Sequence, residues 1–163
     1  MRISIRARDD KAQAALRALP DDLKRDVTLA LDSGARTMAR ESKIRSPKAF
    51  TGLANSIQSR KLGPMRFEVI AGKNYALGVH EGQKPGHRPA IEAIQKWIKV
   101  KGITPHNPLY NIRDLAWFIA SSIERKGTKA QPFMREAAEA KKGEIENVIA
   151  AGIESALAKA ARA

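Results

Sequence analysis

The stretch Ser56-Ile57-Gln58-Ser59-Arg60-Lys61-Leu62-Gly63-Pro64-Met65-Arg66-Phe67-Glu68-Val69-Ile70-Ala71 decides how the fold is read. From Ser56 to Lys61, and again from Arg66 to Ala71, side chains alternate in polarity. A period of two puts successive side chains on opposite faces of a half-buried strand. Gly63-Pro64 between the two runs is turn chemistry, so the segment predicts a hairpin of antiparallel strands. It lies in a chain whose other long segments carry helical spacing.

Toward the N-terminus, Met1 to Arg8 sets Ile3, Ile5 and Ala7 against Arg2, Ser4 and Arg6, which predicts an edge strand. A short helix is expected over Asp10 to Leu19. Pro20 interrupts that pattern and suits the first position of a second helix, whose positive end Asp21 and Asp22 favour. Leu23, Val27, Ala30, Leu31, Gly34 and Met38 recur at three- and four-residue spacing and give this helix one apolar face, to about Ile44. Lys24, Arg25, Asp32, Arg36 and Arg40 occupy the other face. Ser46-Pro47 ends the helix, because the residue before proline is pushed out of helical geometry. A loop is expected through Thr51-Gly52.

Toward the C-terminus, Tyr75 to His80 reads equally as a third strand or a helical turn. Glu81 to Pro89 is rich in glycine, proline and positive charge, which predicts an exposed, mobile loop. Pro89 opens a helix with Ile91, Ile94, Trp97 and Ile98 as its stripe and Gly102 as its stop. Asn111 with Asp114 forms a cap for the next helix, where Ile112, Leu115, Ile119 and Ile123 line one face before Gly127. Pro132 opens a last helix reaching Ala161, with Ile145, Val148, Ile149, Gly152, Ile153, Ala156, Leu157 and Ala160 as a stripe of partly small residues that implies close packing. A bend or break is expected at Lys141-Lys142-Gly143, since an interior glycine costs about 1 kcal/mol against alanine.

The length of 163 residues suits a single domain, 1–163. Hydrophobic residues at 43% are enough for a core, and aromatic residues at 5% leave that core to aliphatic and alanine packing. The absence of cysteine excludes disulfides, thiolate metal sites and a cysteine nucleophile. No run of residues resembles a signal peptide or approaches the roughly 20 apolar residues of a membrane span, so a soluble chain without membrane contact is expected. The formal charge of +13 calls for an anionic partner. Pro47 to Lys101 carries ten basic and three acidic residues, which makes the middle of the chain the expected contact surface.

The residues offer little for catalysis. His80, His87 and His106 lack metal-ligand spacing and read as exposed loop histidines, so neither metal nor cofactor is expected. No phosphate-binding glycine loop occurs, and no pair of carboxylates is set in a shared apolar pocket. Trp97 and Trp117 lie on amphipathic helices as core or interface residues, not as a stacking platform. Contact with nucleic acid is therefore expected at phosphate alone, through Lys73, Lys84, His87 and Arg88, and weakened by salt.

Several segments in order resemble one family, the small tail-completion and head-tail joining proteins of long-tailed bacteriophages, including the minor tail protein Z-like and phage morphogenesis proteins. They are Pro47 with Thr51-Gly52-Leu53 and Ser56-Ile57, then Tyr75-Ala76 followed by Val79, Glu81 and Gly82. Trp97, Ile119-Ala120 with Ile123, Gly127-Thr128, Ala130 and Pro132-Phe133 complete the set. His80 intervenes before Glu81, and Gln83 stands where the family commonly has threonine. The resemblance covers roughly Leu23 to Ala160. It implies an α+β subunit, a small antiparallel sheet with helices packed on it, which assembles into a ring at the neck of the virion without an enzymatic step.

The resulting expectation is a structural virion protein that completes or terminates the tail and joins it to the head. It would form an oligomeric ring, expected to be sixfold, against other neck and tail proteins such as a head-closure or adaptor protein and the tail tube. Genomic DNA would touch it in passing, and it would reside in the host cytoplasm during assembly. Subunit contacts are expected at Ile3, Ile5, Tyr75 and Trp97, the edge strand extending a sheet across neighbours. A free-standing, non-specific DNA-binding protein is the alternative, and a metal-dependent nuclease using Glu81 or His87 a remote third.

Overall fold

A computed structural model of the chain describes residues 2–5, 18, 20–47 and 51–162. The helix expected over Asp10 to Leu19 lies outside the described residues. The order is β1 (Arg2–Ile5), α1 (Asp21–Arg45), α2 (Thr51–Asn55), β2 (Ile57–Gly63), β3 (Arg66–Ala71), α3 (Ala76–Glu81), α4 (Ile91–Lys101), α5 (Ile112–Lys126) and α6 (Phe133–Ala160). The class is α+β.

The expected hairpin forms and becomes two strands of an antiparallel sheet ordered β1-β3-β2. Its turn falls one residue later than the Gly63-Pro64 reading, because Gly63 still pairs with Arg66. Met65 takes a φ of 53°, a left-handed geometry that closes the tight turn after Pro64. The N-terminal strand lies at one edge, with Ile3 opposite Val69 and Ile5 opposite Phe67. Strand β2 forms the other edge.

Phe67, Val69 and Ala71 alternate along β3 onto the core face, where Ala35, Met38 and Ala39 of α1 meet them with Phe133, Met134, Ala137 and Ile145 of α6. Helices α1 and α6 form an antiparallel pair. Arg45 approaches Glu136 at one end, Gly34 faces Ile145 and Ile149 in the middle, and Ala30 abuts Gly152 toward the other end, where Asp26 and Lys159 pair. Leu23, Val27 and Ala156 extend the core along this pair. The small-residue stripe of α6 does what its spacing predicts as far as Ala156, and its last members, Leu157 and Ala160, are exposed.

Two local expectations are corrected. Thr51-Gly52 begins a helix, α2, instead of a loop, because Leu53 is driven into the main core and Ser56 caps the turn by donating to the Leu53 carbonyl at 2.7 Å. Helix α6 is unbroken through Lys141-Lys142-Gly143. Ala137 and Ile145, on either side, are both buried, and this packing outweighs the local cost of one exposed glycine. Of the two readings of Tyr75 to His80, the helical one holds, as α3.

Helices α4 and α5 pack on each other as a hairpin of helices apart from the α1–α6 layer. Gly102 terminates α4 in left-handed geometry with φ 64°. Asn111 caps α5 in a reciprocal box, its side chain accepting from the Arg113 and Asp114 amides while the Asp114 carboxylate accepts from the Asn111 amide. This pair is an arm, and the segments joining it to the body create the surfaces described next.

Candidate assembly surfaces

The arm is moored at its base by interlocked backbone. Gln83 and Thr128 exchange amide-to-carbonyl hydrogen bonds at 3.2 and 2.9 Å, and the Thr128 hydroxyl also accepts from the Gln83 amide at 3.0 Å. Gly86 donates to the Glu124 carbonyl at 2.7 Å, and Gln131 to the Val79 carbonyl at 3.0 Å. Gly127, with φ 71° and ψ −163°, occupies backbone space that only glycine enters readily. A Cβ there would overlap the Gln83 carbonyl oxygen.

The segment Glu81 to Pro89 is therefore tethered, which corrects the expectation of a mobile loop. Arg88 in particular is engaged. Its guanidinium donates to Ser121 Oγ at 3.2 Å and to Glu124 Oε2 at 3.4 Å, and lies 5.2 Å from the centroid of the Trp117 ring. A cation held by a carboxylate, a hydroxyl and an aromatic face braces the arm, and is poorly placed to give up those contacts for a phosphate. Lys84 and His87 are exposed, as expected. Lys73 is exposed too, its aliphatic stem beside Gly52. Of the four cations assigned to a polyanion, Arg88 is thus engaged within the chain, while Lys73, Lys84 and His87 are exposed.

Between arm and body runs an apolar groove of about 460 Å³. Tyr75 and Val79 line it from the body side, with Ile94 and Trp97 from α4 and Ile119 and Ile123 from α5. Tyr75 and Trp97, both expected as subunit contacts, share this one surface. The stripes of α4 and α5 are only half buried because their outer members face this groove instead of a closed core. Ile3 and Ile5 lie on an edge strand as expected, and their side chains fall outside the described residues.

The far side of the arm is apolar and uncovered. Leu109 is 85% exposed, Trp117 50%, and Phe118 and Tyr110 46% each. Phe118 makes edge-to-face contacts with both Tyr110 and Trp117, at centroid distances of 5.3 and 5.4 Å, so the aromatics form one cluster. Trp117 is neither core nor groove.

His80 departs from expectation. It is a buried helical residue, 2% exposed, set edge-to-face against Phe133 at 5.5 Å, and not a loop histidine. Its Nδ1 has no hydrogen-bond partner. Burial lowers its pKa below the ordinary histidine value, Arg135 adds to that, and Glu81 and Glu136 oppose it. The imidazole packs on Phe133, and among the described residues no three His, Asp or Glu side chains are grouped to hold a metal ion. Among those residues, too, no helix is long and apolar enough to cross a membrane.

A second concave surface was missed by sequence reasoning. Helix α1 and the free edge of β2 enclose a trough of about 690 Å³, lined by Arg36, Arg40, Lys43, Arg60 and Lys61 with a single carboxylate, Asp32. Arg36 pairs with Asp32 at 2.7 Å, and Arg60 pairs with the buried Glu68 directly opposite it on β3. Arg40, Lys43 and Lys61 form no ion pair among the described residues.

Comparison of the chain with family models, with curated proteins and with solved structures found no match.

Proposed function

We propose that this chain is a structural subunit of a bacteriophage virion, acting at the neck to complete or terminate the tail and join it to the head as an oligomeric ring through which DNA passes. The observation that carries the reading is the uncovered aromatic cluster of the arm, on a chain that also offers an apolar groove. Contiguous exposed apolar surface of this kind marks a protein contact, and two different surfaces on one subunit suit the head-to-tail contacts that close a ring. The sheet edge at β1 offers a further way to add a neighbour. A small antiparallel sheet with helices packed on it is the subunit architecture that the family resemblance implies, and supports the same reading. The reading needs no cofactor and no bond made or broken.

Its test is assembly. Negative-stain microscopy and mass measurement of the purified chain should show rings, and Leu109→Ser with Phe118→Ser should lower their yield while leaving the helical circular-dichroism signal intact. Phage lacking the gene should accumulate heads and tails that do not join. Intact virions devoid of the chain would sink the proposal.

A second reading, a non-specific DNA-binding protein with no virion role, is favoured by the cationic trough. A monomer that binds duplex DNA tightly at physiological salt and forms no ring would select it.

A further inference from the structure

We infer that the trough between α1 and β2 is the surface that meets the sugar-phosphate backbone of duplex DNA, in place of the loop cations that the sequence suggests. The inference deepens the reading in which DNA passes through the assembly and rests on it for its biological setting. Arg36, Arg40 and Lys43 follow one another at four- and three-residue spacing, so they share one face of α1 and span roughly 10 Å along its axis. Lys61 rises from the opposite wall on β2, whereas Arg60, one residue earlier on the strand, turns to the other face of the sheet toward Glu68 at the rim of the trough; all five side chains are exposed. A row of three cations on α1 with Lys61 across from it matches a backbone that carries a charge about every 3.4 Å per strand.

The kind of partner follows from what the trough lacks. Its one aromatic, Phe67, is 5% exposed in the core and cannot stack on a base, which argues against single-stranded nucleic acid. Arg36 and Arg60 are held by Asp32 and Glu68, while Arg40, Lys43 and Lys61 have no ion-pair partner among the described residues. Cations on a helix and a strand, already ordered, need little rearrangement to meet phosphates. Leu29 also lines the trough, but without base contacts the cations carry the interaction, and a phosphate contact of that kind lets DNA slide, as passage through a ring requires.

The test compares two variants with equal loss of charge. Arg40→Gln, Lys43→Gln and Lys61→Gln together empty the trough of its unpaired cations. Lys96→Gln, Lys101→Gln and Lys126→Gln remove as much charge from the arm. Binding to a mixed-sequence duplex of about 30 base pairs is measured from about 50 to 200 mM salt, with folding checked by circular dichroism. The trough variant should flatten the plot of log K against log salt by about 2.7, three contacts at about 0.9 each, and the arm variant should keep the wild-type slope. Equal flattening in both, or an unchanged slope in the trough variant, overturns the inference. So does a trough variant that keeps its duplex affinity but loses binding to poly-glutamate, which would make the trough an acidic-protein site. A flattened slope in a chain that never forms rings leaves the inference standing and counts against the neck assignment, so the two fail separately.

Discussion

Gly152 of α6 lies so close to Ala30 of α1 that a Cβ added to the glycine would overlap the alanine methyl. The antiparallel α1–α6 pair, which backs the sheet and carries most of the core, is set at its closest approach by these two small residues. Gly152→Ala gains about 1 kcal/mol of helix propensity but forces the helices apart, an overpacking cost of about 1–3 kcal/mol. The expected outcome is a lower melting temperature. Gly143, in the same helix with no atom near its would-be Cβ, is the control. Gly143→Ala should raise stability by about 0.4–1 kcal/mol. Pairing Ala30→Gly with Gly152→Ala should recover part of the loss, since the overlap disappears. A stabilising Gly152→Ala would show that the helices are not in contact here.

His80 predicts a pH dependence of known sign. Its folded-state pKa lies below the ordinary value of 6.5, chiefly through burial. The unfolded chain therefore takes up this proton before the folded chain does, and stability falls as pH drops through 6.5 toward the folded value. Above about pH 7.5 the imidazole is neutral in both states and contributes no slope. Urea midpoints between about pH 8 and pH 5 should decline on the acid side for the native chain. His80→Phe keeps an aromatic beside Phe133 and should decline less over the same range. Parallel curves for the two proteins would exclude His80 as the source.

The parts of this architecture that were legible in the sequence are those decided locally. The hairpin follows from alternation and a proline turn, the α5 cap from two residues three apart, and the stop of α4 from a glycine. What escaped was decided by distant partners. Leu53 is buried among residues from α1, β2 and α6, which makes Thr51–Asn55 helical where the local sequence reads as loop. His80 becomes a core residue because α3 places it on the same face as Ala76, four residues earlier, and Phe133 closes over it. Arg36 and Arg40 read as a solvated helix face, and become one wall of a trough only when β2 packs alongside. The charge excess was visible in composition; its location was a tertiary fact.

The mooring of the arm gives a third prediction. Gly127→Ala would thrust a Cβ into the Gln83 carbonyl from a backbone geometry that disfavours side chains. The strain costs about 1–3 kcal/mol, and the paired amides of Gln83 and Thr128 should absorb most of it. Hydrogen exchange is the fitting measurement. Those two amides should lose protection, while Val69 in the central strand keeps the protection set by global unfolding. Equal loss at Val69 would mean that the arm and body unfold as one unit. If the arm carries the assembly contacts proposed above, the variant should also form fewer rings at unchanged helical content.

Arg60 and Glu68 stand opposite each other in the sheet register, and the carboxylate is 3% exposed while the guanidinium is 47% exposed. Removing the arginine leaves a buried carboxylate with its partner gone, which costs more than the pair itself contributes. Arg60→Met should destabilise the chain by about 1–3 kcal/mol, tempered by the water that already reaches the guanidinium. Arg36→Met breaks a pair of the same type, one turn apart on α1, whose guanidinium is 74% exposed, and should cost below about 0.5 kcal/mol. Replacing Glu68 by Gln in the Arg60→Met background removes the stranded charge and should recover much of the loss. The comparison also separates a DNA-facing cation from a structural one. Arg36→Met removes a cation from the α1 wall and should lower the salt slope for DNA by at most about 0.9, whereas Arg60→Met, on the other face of the sheet, should leave the slope nearly unchanged and move the urea midpoint. Equal midpoints for the two would mean that Glu68 does not depend on Arg60, and that β2 is held by its backbone pairing with β3 and the burial of Ile57.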